Sequence, residues 1–143
     1  MEEFNYLKLD NQLCFPLYVC SKEIIRKYKP FLDKLDLTYT QYITMLVLWE
    51  EKSINVKELG DKLFLDSGTL TPLLKKLEDK DYILRDKSIT DERKLIVSLT
   101  KKGEKLKLKA KDIPFKVGNC ININKEESLE LYKILYKILN NLN

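Results

Sequence analysis

The sequence predicts a mainly α-helical protein with a small β-hairpin. The first observation is the order of elements in residues 65–103, where a Ser/Thr-rich helix start leads into an amphipathic basic helix and then two β-prone runs. The second is composition, because four Gly and four Pro in 143 residues leave little room for a turn-rich β fold. The third is a last helix that is apolar on more than one side. Together these features have the layout of a winged helix-turn-helix lobe joined to a helical dimerisation domain.

The first helix is expected over residues 10–34, where apolar residues recur at helical spacing. Pro16 is compatible with a helix only in the first turn, where its missing N–H has no helical partner. The regular helix is therefore expected to start shortly before Pro16, which puts Cys14 in its first turn.

Capping residues mark the starts of the other helices. Thr38 and Gln41 have the spacing of a capping box, which predicts a second helix over residues 38–49. Pro114 is expected to end the helix before it, and Gly118 predicts a bend in the segment that follows. The remaining caps are expected at Asn55, at Asp66 or Ser67, and at Thr100, for helices over residues 55–63, 66–79 and 100–111, with a last helix over 125–142.

Two β-prone runs, residues 82–86 and 94–99, predict a hairpin. Its loop, residues 87–93, forms the tip of the wing. Ser53 and Ile54 are expected to form only a short extended link between helices.

The last helix is apolar around most of its circumference. Such a helix must be buried on two sides, and at the end of a small chain the second side is expected to be another subunit. Residues 1–37 and 100–143 are therefore interpreted as dimerisation helices, and residues 38–99 as the winged helix-turn-helix lobe of one domain spanning 1–143. The two apolar stripes are Leu131, Leu135, Ile138 and Leu142, and Leu129, Tyr132, Tyr136 and Leu139.

Composition argues against enzyme chemistry, metal binding and membrane insertion. The chain contains no His, which removes the commonest general base and metal ligand. We find no Cys and acidic cluster with metal-ligand spacing, no glycine-rich phosphate loop and no nucleophile elbow. The N-terminus lacks a signal-peptide core, and no apolar run approaches the ~18 residues of a membrane span. The chain is therefore expected in the cytoplasm, without a cofactor.

A DNA-binding face is expected where the fourth helix meets the wing. Residues 85–109 carry nine Lys and Arg against four acids, and the wing part of this patch is interpreted as facing phosphates. Arg93 suits a minor groove, and an ion pair with Asp91 is expected alongside that role. Ser67 is open to interpretation as a helix cap, a DNA contact or both. The candidate DNA-binding residues are Ser67, Thr69, Thr71, Lys75, Lys76, Arg85, Arg93 and Lys94.

Cys14 is the candidate redox-sensing residue. A free thiol is most often buried and inert, but a position near a helix N-terminus favours the reactive thiolate. Tyr18, four residues later, lies on the same helical face. Cys20 lies about 9 Å along the helix from Cys14, beyond the ~7 Å that a disulfide spans, and is expected in the core. Cys120 is left open, as an inert thiol or as a disulfide partner of Cys14 from the other subunit.

Several stretches carry a resemblance to a known family. The residues DER at 91–93 and LTKKG at 99–103 match the D-x-R…L-T-x-x-G pattern of the MarR family of bacterial winged-helix regulators. Its thiol-based subgroup, which senses organic hydroperoxides, resembles this chain in the runs LDNQLCFPLY, YKPFLDKLDLTYTQY and FLDSGTLTPLLKKLE. The resemblance covers nearly the whole chain, which departs from several relatives at Pro16 and Cys20.

The resemblance implies that Cys14 is the sensing thiol of a homodimeric transcriptional regulator, expected to repress from a pseudo-palindromic operator. Tyr18, Tyr28 and Tyr39 match tyrosines that surround this thiol in the family. Because Tyr28 lies about 21 Å along the helix from Cys14, it either approaches the partner's thiol or packs at the interface. In the family an organic hydroperoxide oxidises the sensing thiol. A disulfide from Cys14 to a low-molecular-weight thiol or to Cys120 is then expected to trap the oxidised protein. The alternatives are a regulator of this kind that responds to a small aromatic ligand, and a thiol peroxidase.

Overall fold

The computed structural model describes residues 3–143. Two short 3-10 turns, Asn5–Leu7 and Leu9–Asn11, precede the first helix. The elements that follow in chain order are α1 (Cys14–Asp33), α2 (Tyr39–Glu51), β1 (Ser53–Asn55), α3 (Val56–Leu63), α4 (Ser67–Asp79), β2 (Ile83–Lys87), β3 (Leu95–Leu99), α5 (Lys101–Ala110), α6 (Ile113–Ile121) and α7 (Lys125–Leu142). The predicted fold class, mainly helical with a small wing, is confirmed.

The starts of α1 and α2 agree with their predicted signals. Helix α1 begins at Cys14, so Pro16 lies in the first turn and removes no helical hydrogen bond. In α2 the capping box is complete, because the Gln41 N–H donates to Thr38 Oγ1 (3.3 Å) and the Thr38 N–H donates to Gln41 Oε1 (3.0 Å). A capping interaction of this kind stabilises a helix by about 1 kcal/mol.

The other predicted caps are also present, with one choice between neighbours resolved. Asn55 caps α3 and Thr100 caps α5 through side-chain oxygens that accept backbone N–H groups. The cap of α4 is Asp66, whose Oδ1 accepts the N–H of Thr69 at 2.7 Å. Ser67 is the first helical residue instead, so its interpretation as the cap is wrong.

Helix α5 ends at Ala110, before Pro114 as predicted, but the segment after Pro114 is a further helix, α6, and not a bend. Pro114 is the second residue of α6, where its ring and missing N–H are tolerated. Gly118 lies inside α6, and the chain leaves the helix only at Asn122, in the left-handed conformation. Burial of Ile113 and Val117 offsets the roughly 1 kcal/mol that an internal glycine costs a helix.

The wing hairpin belongs to a three-stranded antiparallel sheet with the order β1-β3-β2. Strands β2 and β3 form the predicted hairpin, with Arg85 opposite Val97. The extended link predicted at Ser53 and Ile54 is in fact β1, in which Ile54 pairs with Val97. Both of these side chains are buried, so packing against the core accounts for the third strand.

One hydrophobic core joins the winged helix-turn-helix lobe to the helices on either side of it. Leu32 of α1, Leu77 of α4, Val97 of β3 and Val117 of α6 are all at most 2% exposed. Burial of each such side chain contributes about 1.5–3 kcal/mol. The end of α1 and the middle of α6 are therefore packed against the same core as the lobe.

A large apolar surface remains uncovered on α7 and at the start of α1. No residue of α7 is buried, and both predicted apolar stripes of this helix face solvent. At the start of α1, Leu13 is 82% exposed. Folded monomers rarely expose contiguous apolar patches of this kind, so α7 and the first turns of α1 are incomplete without a further contact. Within residues 3–143, no helix combines the length and the apolar character needed to cross a bilayer.

Candidate functional site

Helix α4 has a buried apolar face and an exposed polar face. Leu70, Leu73, Leu74 and Leu77 are buried in the core. Hydroxyl groups near the helix start and ammonium groups farther along suit hydrogen bonds to phosphates and base edges. The predicted contact residues on the exposed face are Ser67, Thr69, Thr71, Lys75 and Lys76.

The wing tip presents a highly exposed arginine on a locally ordered turn. The Arg93 side chain is 91% exposed, and its Nε lies 3.2 Å from Asp91 Oδ1, which confirms the predicted ion pair. Hydrogen bonds from the Arg93 backbone N–H, and then from its side chain, lower the pKa of Asp91. The N–H of Ser88 donates to the carbonyl of Lys94 (2.8 Å) and closes the turn, while the Lys94 side chain is exposed.

Arg85 has a different setting from the other predicted DNA-binding residues. Its Nη2 lies 3.1 Å from Glu78 Oε1, and both side chains are largely shielded, at 20% and 32% exposed. Its backbone N–H donates to Glu78 Oε2 at 3.0 Å. The hydrogen bond from the Arg85 side chain is the largest cause of a lowered pKa of Glu78. The structure therefore places Arg85 at the junction between α4 and the wing and not on the open surface.

Cys14, the first residue of α1, is exposed. Tyr18 lies one turn later and is 63% exposed, with the Lys22 ammonium 5.4 Å from the centre of its ring. Phe15 and Leu17 are also exposed and add apolar surface on either side of Pro16. This thiol is thus accessible to a solute that carries an apolar group.

Three tyrosines form a cluster at the other end of α1. The rings of Tyr28 and Tyr39 meet edge to face with centroids 5.0 Å apart, and Tyr42 lies 5.7 Å from Tyr28. Burial raises the pKa of all three phenols, and that of Tyr42 to about 12. Tyr28 and Tyr39, two of the predicted thiol-supporting residues, are therefore brought together, with Tyr42 as a third member.

The tyrosine cluster and Cys14 are separated within one chain. Fourteen residues of helix place Tyr28 about 21 Å from Cys14 along the axis, and only Tyr18 lies on the adjoining turn. A site that contains Cys14, Tyr18 and Tyr28 therefore requires a second copy of α1.

Cys20 and Cys120 are both exposed. The prediction of Cys20 as a core residue is wrong in this chain, because Leu32 is the only buried residue of α1 and the first half of that helix packs against little of its own chain. Cys120 lies within α6, one residue before its end, and not after a break. All three cysteines are free.

A family model described as the transcriptional regulator SarA/Rot matches residues 26–110, which is more than half of the chain. The chain belongs to this SarA/Rot family of transcriptional regulators. The matched segment includes the tyrosine cluster, α4 and the wing, whereas Cys14 precedes it.

Relatives of this SarA/Rot-family protein extend the similarity over Cys14. The organic hydroperoxide resistance transcriptional regulator of Bacillus subtilis is 46% identical over 144 residues, which cover 99% of this chain and 96% of the relative. The HTH-type transcriptional regulator SarZ of Staphylococcus aureus is 50% identical over 123 residues, or 86% of this chain and 83% of the relative.

Among solved structures, reduced AbfR bound to DNA is similar with a TM-score of 0.78 and 32% identity, covering 96% of each chain. The crystal structure of AbfR of Staphylococcus epidermidis is also similar, with a TM-score of 0.76 and 31% identity. These matches confirm the resemblance to thiol-based MarR-type winged-helix regulators. They also confirm that the SarA/Rot-family chain is a transcriptional regulator and not an enzyme.

Two residues that belong to the tyrosine cluster and to the junction between α4 and the wing were not predicted from the sequence. Tyr42 follows Tyr39 at helical spacing, and this repeat of large aromatic residues is the signal for a shared cluster. Glu78 lies near the end of α4, next to Asp79 and seven residues before Arg85. Its partner is not visible from local spacing, because the contact depends on how β2 folds back against α4.

Proposed function

We propose that this chain acts as a homodimer that binds duplex DNA while Cys14 is reduced and releases it when an organic hydroperoxide oxidises Cys14. The observation that carries the proposal is an exposed Cys14 at the start of α1 in a chain 46% identical over 99% of its length to an organic hydroperoxide resistance regulator. The structural similarity to reduced AbfR bound to DNA supports the link between thiol state and DNA.

In the proposed complex, α4 enters the major groove and the wing approaches the minor groove. Two copies of the lobe, related by a two-fold axis, fit a pseudo-palindromic operator. The role proposed for the bound protein is that of a repressor in the cytoplasm. The exposed guanidinium of Arg93 and the ammonium of Lys94 suit the wing contact. The α4 contacts are Ser67, Thr69, Thr71, Lys75 and Lys76.

The second copy also completes the sensor. The exposed apolar surface of α7 and the start of α1 is suited to a partner of the same kind, because a two-sided apolar helix needs two packing surfaces. An antiparallel crossing of two α1 helices brings Cys14 and Tyr18 of one subunit near Tyr28 and Tyr39 of the partner subunit. Oxidation of Cys14 therefore alters the dimer interface, and this interface sets the spacing of the two α4 helices.

The oxidation follows ordinary thiol chemistry. The Cys14 thiolate attacks the hydroperoxide, a sulfur–oxygen bond forms, the oxygen–oxygen bond breaks, and the alkoxide leaves and takes a proton from water to become an alcohol. The resulting sulfenic acid condenses with a second thiol, forming a disulfide and releasing water. That second thiol is a low-molecular-weight thiol or Cys120 of the partner subunit, which is exposed and available for such a reaction.

The alternative of a small aromatic ligand has weaker support. A cleft of about 270 Å³ lies between α1 and the start of α2, lined by residues that include Arg26, Lys29 and Tyr39. This volume is at the lower limit of the roughly 300–1,000 Å³ of typical ligand sites. Its two cations form exposed ion pairs within α1, Arg26 with Glu23 and Lys29 with Asp33.

The test is duplex binding before and after oxidation. The probe is a fluorescent duplex that the reduced protein selects from a random pool, and the oxidant is cumene hydroperoxide. Binding is expected in the reduced state and loss of binding after oxidation, with intact mass spectrometry placing the adduct on Cys14. Equal binding in both states contradicts redox control, and failure to select any duplex contradicts DNA binding.

A further inference from the structure

Glu78 joins the end of helix α4 to the first strand of the wing through two hydrogen bonds to one residue. Its Oε2 accepts the backbone N–H of Arg85 at 3.0 Å, and its Oε1 accepts Nη2 of the same arginine at 3.1 Å. Strand β2 lies at the edge of the sheet, where alternate N–H groups face away from β3, and the Arg85 N–H donates to Glu78 and not to a further strand. The Glu78 carboxylate therefore supplies the acceptor that a further strand would have provided.

The guanidinium of Arg85 is committed to this junction. Its side chain is only 20% exposed, whereas that of Arg93 at the wing tip is 91% exposed. Its Nε is buried without a hydrogen-bond acceptor, so the group lies inside the contact between helix and strand. Turning it outward to a phosphate breaks a charged hydrogen bond and leaves Glu78, whose side chain is 32% exposed, without its partner.

We infer that Glu78 and Arg85 are positioning residues that set the angle of the wing relative to α4, and that Arg85 does not contact DNA itself. The inference rests on the proposed DNA-binding function. Among ion pairs within residues 3–143, this is the only one between α4 and the hairpin. Because α4 and the wing must reach two different grooves at once, a small change in the angle between them weakens operator binding without removing any contact group.

The charge of Glu78 makes the inference testable, because two roles of this residue predict opposite changes in DNA affinity when the charge is removed. A carboxylate on a DNA-binding helix repels phosphates, so its removal raises affinity if Glu78 acts only as a charge. The positioning role predicts the opposite, because Glu78→Gln loses the charged acceptor that holds β2. The protein then becomes more positive by one charge and still binds DNA less tightly.

The experiment compares Glu78→Gln, Arg85→Met and the double variant with wild type on the selected duplex under reducing conditions. Each single variant is expected to weaken binding on the order of tenfold, and the double variant no more than Arg85→Met alone, since both remove the same interaction. The dependence of log affinity on log salt is expected to keep its wild-type slope. Lys94→Met is the matched control at an exposed wing cation, and its slope is expected to fall by about 0.9, the value for one lost phosphate contact.

A second readout separates positioning from general destabilisation. Base-pair substitutions in the flanks of the duplex, where the wing binds, are expected to reduce the DNA affinity of Glu78→Gln less than that of wild type. Substitutions under α4 are expected to reduce the affinity of both proteins equally. Circular-dichroism melting monitors the fold, and if Arg85→Met fails to fold, Glu78→Gln alone decides. Wild-type or tighter binding by Glu78→Gln, or a reduced salt slope in Arg85→Met, overturns the inference while leaving the proposed function intact. Failure of the wild type to select a duplex overturns both.

Discussion

The indole N–H of Trp49 in α2 donates a hydrogen bond of 2.9 Å to the backbone carbonyl of Gly103 in α5. The bond is buried, so each group would lack a partner if the two helices separated. Gly103 also lies so close to the wing strands that a Cβ at this position would be 2.7 Å from Leu99 Cδ1 and would overlap the carbonyl of Tyr82. The close approach of α5 to the end of the lobe therefore depends on the missing side chain.

Replacing Gly103 by alanine is expected to destabilise the fold by about 3 kcal/mol, because the backbone of Tyr82 must move to admit the new methyl group. Urea denaturation measures the change. Gly118→Ala is the matched control, since a Cβ there meets nothing within 4 Å and alanine favours a helix by up to about 1 kcal/mol. Similar stability of the two variants would contradict the packing argument.

Local signals account for the parts of the fold that could be predicted. The capping spacing of Thr38 and Gln41, and the caps at Asn55 and Thr100, act over one helical turn and are legible in sequence. The apolar spacing of α4 likewise separates its buried leucines from its exposed hydroxyl and ammonium groups. These signals place Cys14 in the first turn of α1 and five of the predicted DNA-contact residues on α4.

What could not be predicted depends on contacts between distant segments. The β1 strand exists because Ile54 meets Val97, and the Glu78–Arg85 pair exists because β2 folds back on α4. The exposure of Cys20 has a similar origin, since the first half of α1 contributes little to the core of its own chain. Helix periodicity reports which residues share a face, but not whether that face is covered by the same chain.

Tyr42 is expected to make the stability of the protein depend on alkaline pH. Burial raises its pKa to about 12 in the folded chain, against about 10 in the unfolded chain, so the folded state favours the neutral phenol. The stability from the neutral phenol is complete below about pH 10 and is lost as pH rises towards 12. Over that range the free energy of unfolding of Tyr42→Phe, measured by urea denaturation, is expected to fall by on the order of 1 kcal/mol less than that of wild type. Tyr6→Phe, at a side chain that is 63% exposed, should follow wild type, and an identical loss in Tyr42→Phe would exclude this phenol as the cause.

The exposed apolar face of α7 is expected to be a dimer interface. Replacing Leu131 and Leu135 together by glutamate should raise the dimer dissociation constant on the order of a hundredfold, since two leucines that the dimer would bury are lost. Sedimentation equilibrium measures this constant. Ile89→Glu serves as the control, because Ile89 is fully exposed at the wing tip, away from α7. A wild-type chain that is a folded monomer at micromolar concentration would remove the dimer from the proposal.

The wing contact is expected to depend on the exposed guanidinium of Arg93. Arg93→Ala should weaken operator binding on the order of tenfold at one fixed salt concentration, with an unchanged melting temperature. The control is Arg26→Ala, which removes another exposed cation, on α1, and should leave binding unchanged. If Arg93→Ala binds as wild type does, the wing does not contribute to affinity.

The three cysteines are expected to respond differently to substitution. Cys14→Ser should bind the operator and no longer release it with cumene hydroperoxide, because serine does not form a sulfenic acid. Cys20→Ser should behave as wild type, since about 9 Å of helix separates it from Cys14. Cys120→Ser then identifies the trapping thiol: loss of a covalent dimer on non-reducing gels indicates an intersubunit disulfide, whereas release that still occurs once a small thiol is supplied indicates a mixed disulfide. Full oxidant-driven release by Cys14→Ser would place the sensor elsewhere in the chain.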